Sequence, residues 1–512
     1  MRRSLNREHR VALVLWLMVL SLLGAACENK SSPHALHTPH ALHTPPELLQ
    51  STASPSTQVV SQLVFVTGYT VNQPPTSTTE YFVDALNADD GSVRWRYLSQ
   101  TSIQPPMVVT GQTVYIQQQT KLSNQTPATN LVALNAATGA VRWIFTTKAQ
   151  FTVAQAGDTM YASMNDGPDP DTNSNSGAIA ALNAATGAVR WQTAVNGWPG
   201  TPAVAGNTVF VVVVGGKQGS LYALDTASGQ VRWQSSPRTS LSGMLTAGQY
   251  GFASAPLVLG NLVLAEATSS GASGEQEFSI IAYGVTDGHV RWQVQPGQLQ
   301  SRTMAYGTVS DGHVLYLAYT AVPTSRPIIP QYSVEALRVG DGSTLWQTPI
   351  PYLPSPPVLA GGSIFLMGQG GLTSDSPADL LIALNVHSGA VQWHLPSRVD
   401  NLVGGVPVVD GSLVCIPTWI PTAASTPAVT PNPYVPRVIA LTAYNTTTGK
   451  ETWRNTLDST HLPQPPLVDG DKLLVRFNNA FSPLVVIHAG DGQVLWRFGG
   501  SESTVTSVMP VM

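Results

Sequence analysis

The chain has 512 residues, with 25 Lys+Arg against 29 Asp+Glu, a formal net charge of −4 and only 11 % charged residues, well below the usual ~25 %. Gly (44) and Pro (39) are raised and the whole chain holds two cysteines. Collagen, a charge-rich disordered chain, a disulfide framework and a basic nucleic-acid binder are thereby excluded.

At the N-terminus, Arg2, Arg3, Arg7 and Arg10 form a basic head, and Val11 to Ala26 is an uncharged apolar run of 16 residues. That is short for a membrane span, which needs ~20, and suits a signal-peptide core. Gly24, Ala25 and Ala26 then lead into Cys27. The segment resembles a bacterial lipoprotein signal, which implies removal of residues 1–26 and lipidation of the Cys27 thiol. Cleavage at Ala26 without lipid, or retention as a short anchor, are the alternatives. Removal moves the balance to 21 basic and 28 acidic residues, a net charge of −7. Such a surface argues against nucleic acid and against electrostatic membrane binding. Any membrane attachment rests on the lipid.

Residues 27–57 read as a tether. Pro33, Pro39, Pro45, Pro46 and Pro55 stand among Ser, Thr and His, with little to bury. The hexapeptide His-Ala-Leu-His-Thr-Pro occurs twice in tandem and spaces His34, His37, His40 and His43 by three. Imidazoles at that spacing are a metal-capturing tract in one reading and a duplicated linker in the other. With no cysteine or carboxylate sharing the spacing, the linker is preferred.

From residue 58 one unit recurs. Nine copies end at Trp95, Trp143, Trp191, Trp233, Trp292, Trp346, Trp393, Trp453 and Trp496, at separations of 42 to 60 residues, a period that belongs to propellers and solenoids. Four residues before each tryptophan stands glycine: Gly91, Gly139, Gly187, Gly229, Gly288, Gly342, Gly389, Gly449 and Gly492. Asp, Ser or Thr precedes each glycine. Asn or Asp stands eight before the tryptophan in six copies, among them Asn87, Asn135 and Asp225. This is a type I turn closed by a residue at positive φ, capped by an Asx side chain, and so a hairpin of two antiparallel strands. Val stands two before the tryptophan in seven copies, which in a regular strand places it on the indole face. Ala stands ten before it in eight copies, with Val486 the exception. Two further apolar runs precede each hairpin, such as MVVT (107–110) and TVYIQ (113–117). The unit is therefore four strands, with no competing helical period. A single such sheet cannot cover two apolar faces, whereas a radial array covers them all. Each repeat indole then buries ~150–250 Å² as blade packing.

The phrase Ala-Leu-(Asn/Asp)-Ala-x-Thr-Gly-x-Val-x-Trp resembles the tryptophan-docking repeat of the pyrroloquinoline-quinone-type β-propellers, over residues 58–512. The resemblance implies an all-β fold, a single closed propeller of four-stranded antiparallel blades. Family habit points to eight blades, toward which the reading leans slightly; the repeat count gives nine. The tail TSVMPVM (506–512) resembles a first strand able to close the ring.

In the family's enzymes the resemblance implies a vicinal disulfide beneath the quinone, a catalytic Asp and calcium ligands. This chain has no adjacent cysteines, and Cys415 in LVCIP (413–417) reads as a buried strand residue. Residues 165–177 place Asp169, Asp171, Asn173 and Asn175 at alternating positions, like a calcium loop. Ser174 stands where that loop needs Gly, and Ala180 where it needs Glu. A polar hairpin tip is the simpler reading. Arg94, Arg142, Arg190, Arg232 and Arg291 directly precede tryptophans and read as repeated inter-blade bonds. Long Pro/Ser/Thr-rich insertions fall at 71–80, 322–331 and 419–436, and Trp198 and Trp419 lie outside the repeat column; such loops tend to carry function. The expectation is an exported, membrane-anchored, monomeric scaffold that binds a protein or peptide, with no catalytic residue, no metal site and no cofactor. A quinone-dependent dehydrogenase holding pyrroloquinoline quinone with calcium, or another ligand-binding propeller, is the alternative.

Overall fold

A computed structural model describes residues 62–510 except 72–77, 122–126, 169–174, 216–217, 238–239, 243, 245–254, 271–275, 297–300, 324–329, 370–378, 397–404, 422–436, 458–463, 478–481 and 501–502. Cys27, the histidine tract and the proposed leader lie outside the described residues, as do the central parts of the three insertions. No described helix is long and apolar enough to cross a membrane.

Among the described residues the chain forms nine antiparallel blades. Blade 1 combines Leu63–Val71, Thr79–Asn87 and Val93–Ser99 with a strand from the far end of the chain, Ser503–Pro510. Blades 2 to 9 are continuous in sequence, at 103–147, 150–195, 198–235, 240–294, 301–350, 353–396, 408–457 and 467–498. Strands are lettered a to d from the hub outward. Family habit predicts eight blades and the repeat count nine; the structure has nine, one per repeat tryptophan, with the C-terminal strand completing blade 1 instead of adding a unit.

Strand chemistry follows position. The second strands are buried on both faces over their first six residues, as in Thr113–Lys121 and Thr208–Gly215, because a neighbouring blade covers each side. The innermost strands are half-buried along their length, as in Ala203–Ala205, Leu257–Leu259, Val358–Ala360 and Val408–Asp410. They contact one another from blade to blade and ring the axis. This inner edge tolerates proline, which has no N–H to donate. In blade 4 it is broken into Trp198–Pro199 and Ala203–Ala205, and in blade 7 into Leu353–Pro354 and Val358–Ala360.

Closure is visible at the seam. Strand Ser503–Pro510 pairs with Leu63–Val71, with a register shift at Thr67/Gly68. One core cluster joins Leu474, Leu484 and Trp496 of blade 9 to Val64, Phe82 and Leu86 of blade 1 and Val505 and Val508 of the closing strand. Arg476 of blade 9 donates from Nη1 to the Thr506 carbonyl at 2.6 Å.

One feature of the repeat differs from expectation. In every blade the outer hairpin carries a register shift at the tryptophan: Ala85 pairs Trp95 while Leu86 pairs Val93, leaving Arg94 as the extra residue. The same shift recurs from Ala133/Leu134 to Val486/Ile487. A β-bulge of this kind moves the valine off the indole face. Val93, Val189, Val231, Val290 and Val391 are exposed as a result, at 43–50 %.

Candidate functional site

The nine repeat tryptophans and nine turn glycines come together between blades. Each indole Nε1 donates to a main-chain carbonyl of the following blade: Trp95 to Ala136, Trp143 to Ala184 and Trp292 to Val339, at 2.8–2.9 Å. Trp191, Trp233, Trp346, Trp393 and Trp453 reach Thr226, Val285, Val386, Thr446 and Ala489 in the same way. The series ends with Trp496 donating to Ala88, back in blade 1, at 2.9 Å. Each ring lies flat on the glycine of that next blade. A Cβ on Gly139 would sit 2.5 Å from Trp95 Cε3, and one on Gly91 2.6 Å from Trp496 Cε3. The same clash would arise at Gly187, Gly229, Gly288, Gly342, Gly389, Gly449 and Gly492. These glycines therefore serve twice: φ near +70° closes the turn, and the missing side chain admits the ring.

The accepting residue links two turns. Ala136 receives the Trp95 proton at its carbonyl and donates its own N–H to the Gln112 carbonyl, in the tight turn between the first two strands. Ala88 bonds Gln62, Ala184 bonds Asp158 and Ala489 bonds Asp471 by the same pattern. Main-chain groups leave no mark on residue type, so this joint was invisible in the sequence. A column of tight-turn glycines at positive φ, Gly111, Gly157, Gly206, Gly260, Gly411 and Gly470, was the available signal.

The two faces of the wheel differ. The turns after the first and third strands lie together on one face, which we call the turn face. Several of its carboxylates are engaged by neighbouring groups. Asp225 Oδ1 accepts from the Ala227 and Ser228 N–H groups at 3.0 and 2.9 Å. Arg190 holds Asp158 at 2.7 Å, and Arg291 holds Asp287 at 2.8 Å. Bonding to Arg190, then to Thr159, lowers the Asp158 carboxyl to about 2, and Asp287 is held at about 2 chiefly by Arg291. Arg142, Arg190, Arg232 and Arg291, each directly before a tryptophan, thus bond inside their own blades, and not between blades as expected. Arg142 donates to Thr113, and Arg232 to Asn207, Thr208 and Asp225. The bulge is the reason: the extra residue projects along its own sheet toward the tight turn.

The opposite face, the loop face, receives the ends of the second and fourth strands. The insertions at 71–80, 322–331 and 419–436 all join a second strand to a third, and so all emerge here. The calcium-like segment joins Thr159–Pro168 to Asn175–Asn183 on this face too; its Asp169 and Asp171 lie outside the described residues, and the side chain of Asn175 is not described. Trp198 is not on a loop. It begins the inner strand of blade 4 at this face, paired with Val214 and 45 % exposed. In blade 6 a cavity of about 410 Å³ opens between the strand ends Pro330–Ser333 and Gln347–Pro351.

The described residues hold no group of three or more His, Cys, Asp or Glu placed to share a metal ion. Cys415 is buried beside Trp453 in the strand Leu413–Pro421, in the register position that Phe65, Tyr115 and Phe210 hold in other blades. Burial, then the charge of Asp410, pushes its thiol up to about 12, so it is not a thiolate at neutral pH.

Among solved structures, the outer-membrane assembly protein BamB from Moraxella catarrhalis matches at 15 % identity, over 73 % of this chain and 90 % of that one, with a TM-score of 0.42. The quinohemoprotein alcohol dehydrogenase from Comamonas testosteroni matches at 14 %, over 80 % and 68 %, with a TM-score of 0.40. No curated protein sequence matches the chain. The family model described as outer membrane protein assembly factor BamB matches residues 50–168, 175–418 and 377–511. The chain therefore belongs to that family of pyrroloquinoline-quinone-type repeat propellers.

Proposed function

We propose that this propeller is a non-catalytic scaffold of the cell envelope that binds a protein or peptide on its loop face. The observation that carries the reading is the asymmetry of the wheel. The turn face bonds several of its carboxylates to its own arginines and turn N–H groups, while the loop face collects the long insertions and the exposed Trp198. A rigid ring presenting variable segments on one side is suited to recognition. The family's description as an outer-membrane assembly factor agrees with an envelope location. The apolar run before Cys27 and the tether at 27–57 supply export and attachment through an acylated thiol.

The test uses the full chain in cells, with a photo-crosslinking amino acid at Trp198 or, on the turn face, at Gly111. The reading expects a discrete crosslinked protein from position 198 and none from 111. Crosslinks from 111 alone, or from neither position, would contradict it. Dye-linked dehydrogenase activity after addition of pyrroloquinoline quinone and calcium to the purified chain would contradict it as well. Cys27→Ser is expected to move the protein out of the membrane fraction.

A further inference from the structure

Glu335 is the point at which blade 6 breaks the repeat. Its third strand, Gln331–Arg338, has a carboxylate where the equivalent positions in other blades carry Val132, Ile281, Ile382 or Val485. Glu335 is 5 % exposed. Its Oε1 accepts from Thr344 Oγ1 at 2.6 Å; Oε2 is buried with no hydrogen bond of good geometry, and the Tyr319 hydroxyl stands near the carboxylate as its neutral polar neighbour. Blade 1 has the same device in completed form. Asp84 sits at the equivalent position, wholly buried, and Arg96 directly across the strand pair holds both its oxygens at 2.8 and 2.7 Å. In blade 6 the residue directly across from Glu335 is Gln347. Gln347 Nε2 turns instead to the Tyr319 hydroxyl at 2.8 Å. Among the described residues no basic side chain forms an ion pair with Glu335.

A buried carboxylate oxygen without a partner is costly, and a cation relieves that cost. The position of the cavity says where one would enter. Ser333 and Gln347 line it, and Glu335 lies one alternation step in from Ser333 on the same face of the sheet. Pro330, Pro349 and Pro351 stand at the mouth, an apolar rim against which the alkyl part of a cation can rest. The volume falls within the range of small-ligand clefts.

We propose that the cavity of blade 6 is a pocket for an organic cation, a guanidinium or ammonium group that completes Glu335 as Arg96 completes Asp84. The cation comes either from a basic side chain of a bound polypeptide or from a free polyamine. The inference rests on the loop-face reading only in that the pocket opens on that face, and its test needs no protein partner.

The purified full chain is titrated calorimetrically with N-acetyl-arginine amide, with its uncharged isostere N-acetyl-citrulline amide, and with spermidine. Saturable binding of the arginine amide, weakened at least tenfold by replacing it with citrulline or by Glu335→Gln, supports the pocket and a side-chain source. The same Glu335 dependence for spermidine alone supports the pocket and a polyamine source. Gln347→Arg recreates the blade 1 pair; it is expected to abolish binding and raise the thermal midpoint by several degrees. It also keeps the test decisive if Glu335→Gln fails to fold. No saturable binding, or binding unchanged by either substitution, overturns the proposal. If Glu335→Gln raises the thermal midpoint and no probe binds, the carboxyl is a core group that takes no ligand, and the pocket is refuted.

Discussion

At the scale of single residues, two glycine columns separate conformation from packing. Gly111 has φ +55° with open space where a Cβ would project, whereas Gly139 has φ +72° and the Trp95 ring 2.5 Å away. Gly111→Ala meets only the left-handed backbone cost, about 1–2 kcal/mol. Gly139→Ala adds a steric clash and is expected to cost about 2–5 kcal/mol. Urea midpoints of the two variants measure the difference, and equal losses would mean that the ring does not rest on that glycine. Asp158 gives a pH signature. Its folded value of about 2 lies below the ordinary 3.8, so its contribution is fully present above pH ~4 and is lost as pH falls toward ~2. Asp158→Asn is expected to lower the urea midpoint at pH 7, where the contribution is fully present, and to flatten its dependence on pH across that window. A variant unchanged at pH 7 that keeps the full acid dependence would contradict this.

At the scale of the blade, the outer hairpin is where reading and structure can be compared most closely. The Asn-x-x-x-Gly turn was legible because Asn135 and Gly139 are residue types that only a few backbone conformations demand. The carboxamide Oδ1 of Asn135 accepts from the Ala137 N–H at 2.9 Å as that chemistry requires. The bulge was not legible, because Arg94 carries no sign that it is extra, and a strict period of two then misplaces Val93. The candidate site was less visible still. Glu335 stands in a strand whose other positions look ordinary, and only the register with Gln347 reveals the missing cation. The completed pair in blade 1 can be tested directly. Arg96→Met leaves Asp84 buried without its partner and is expected to cost about 3–5 kcal/mol, while adding Asp84→Val to that variant restores most of it. A double variant no more stable than the single one would show that the pair itself carries the stability.

At the scale of the whole molecule, ring size emerges only from the sum of all the docking contacts. No single unit encodes it, since the angle between neighbouring blades is set by packing across the full interface. The tryptophan count was the better guide than family habit, because each blade needs one docking residue and the C-terminal strand supplies only a missing first strand. That arrangement makes the seam dependent on both ends of the fold. Removing residues 503–512 takes away a strand that pairs with Leu63–Val71 at seven positions. The truncated chain is expected to lose its single cooperative unfolding transition, as read by paired circular dichroism and indole fluorescence melts. Coincident, unchanged melts would argue that the ring does not close through that strand.

The most direct measurement is hydrogen exchange of the indole N–H groups in a chain labelled with nitrogen-15 at tryptophan, with signals assigned by single Trp→Phe substitutions. A closed nine-bladed wheel predicts nine slowly exchanging indoles, with Trp496 protected as strongly as Trp143 and the exposed Trp198 exchanging fast. A Trp496 signal that exchanges as quickly as Trp198 would show an open array, and would contradict the account.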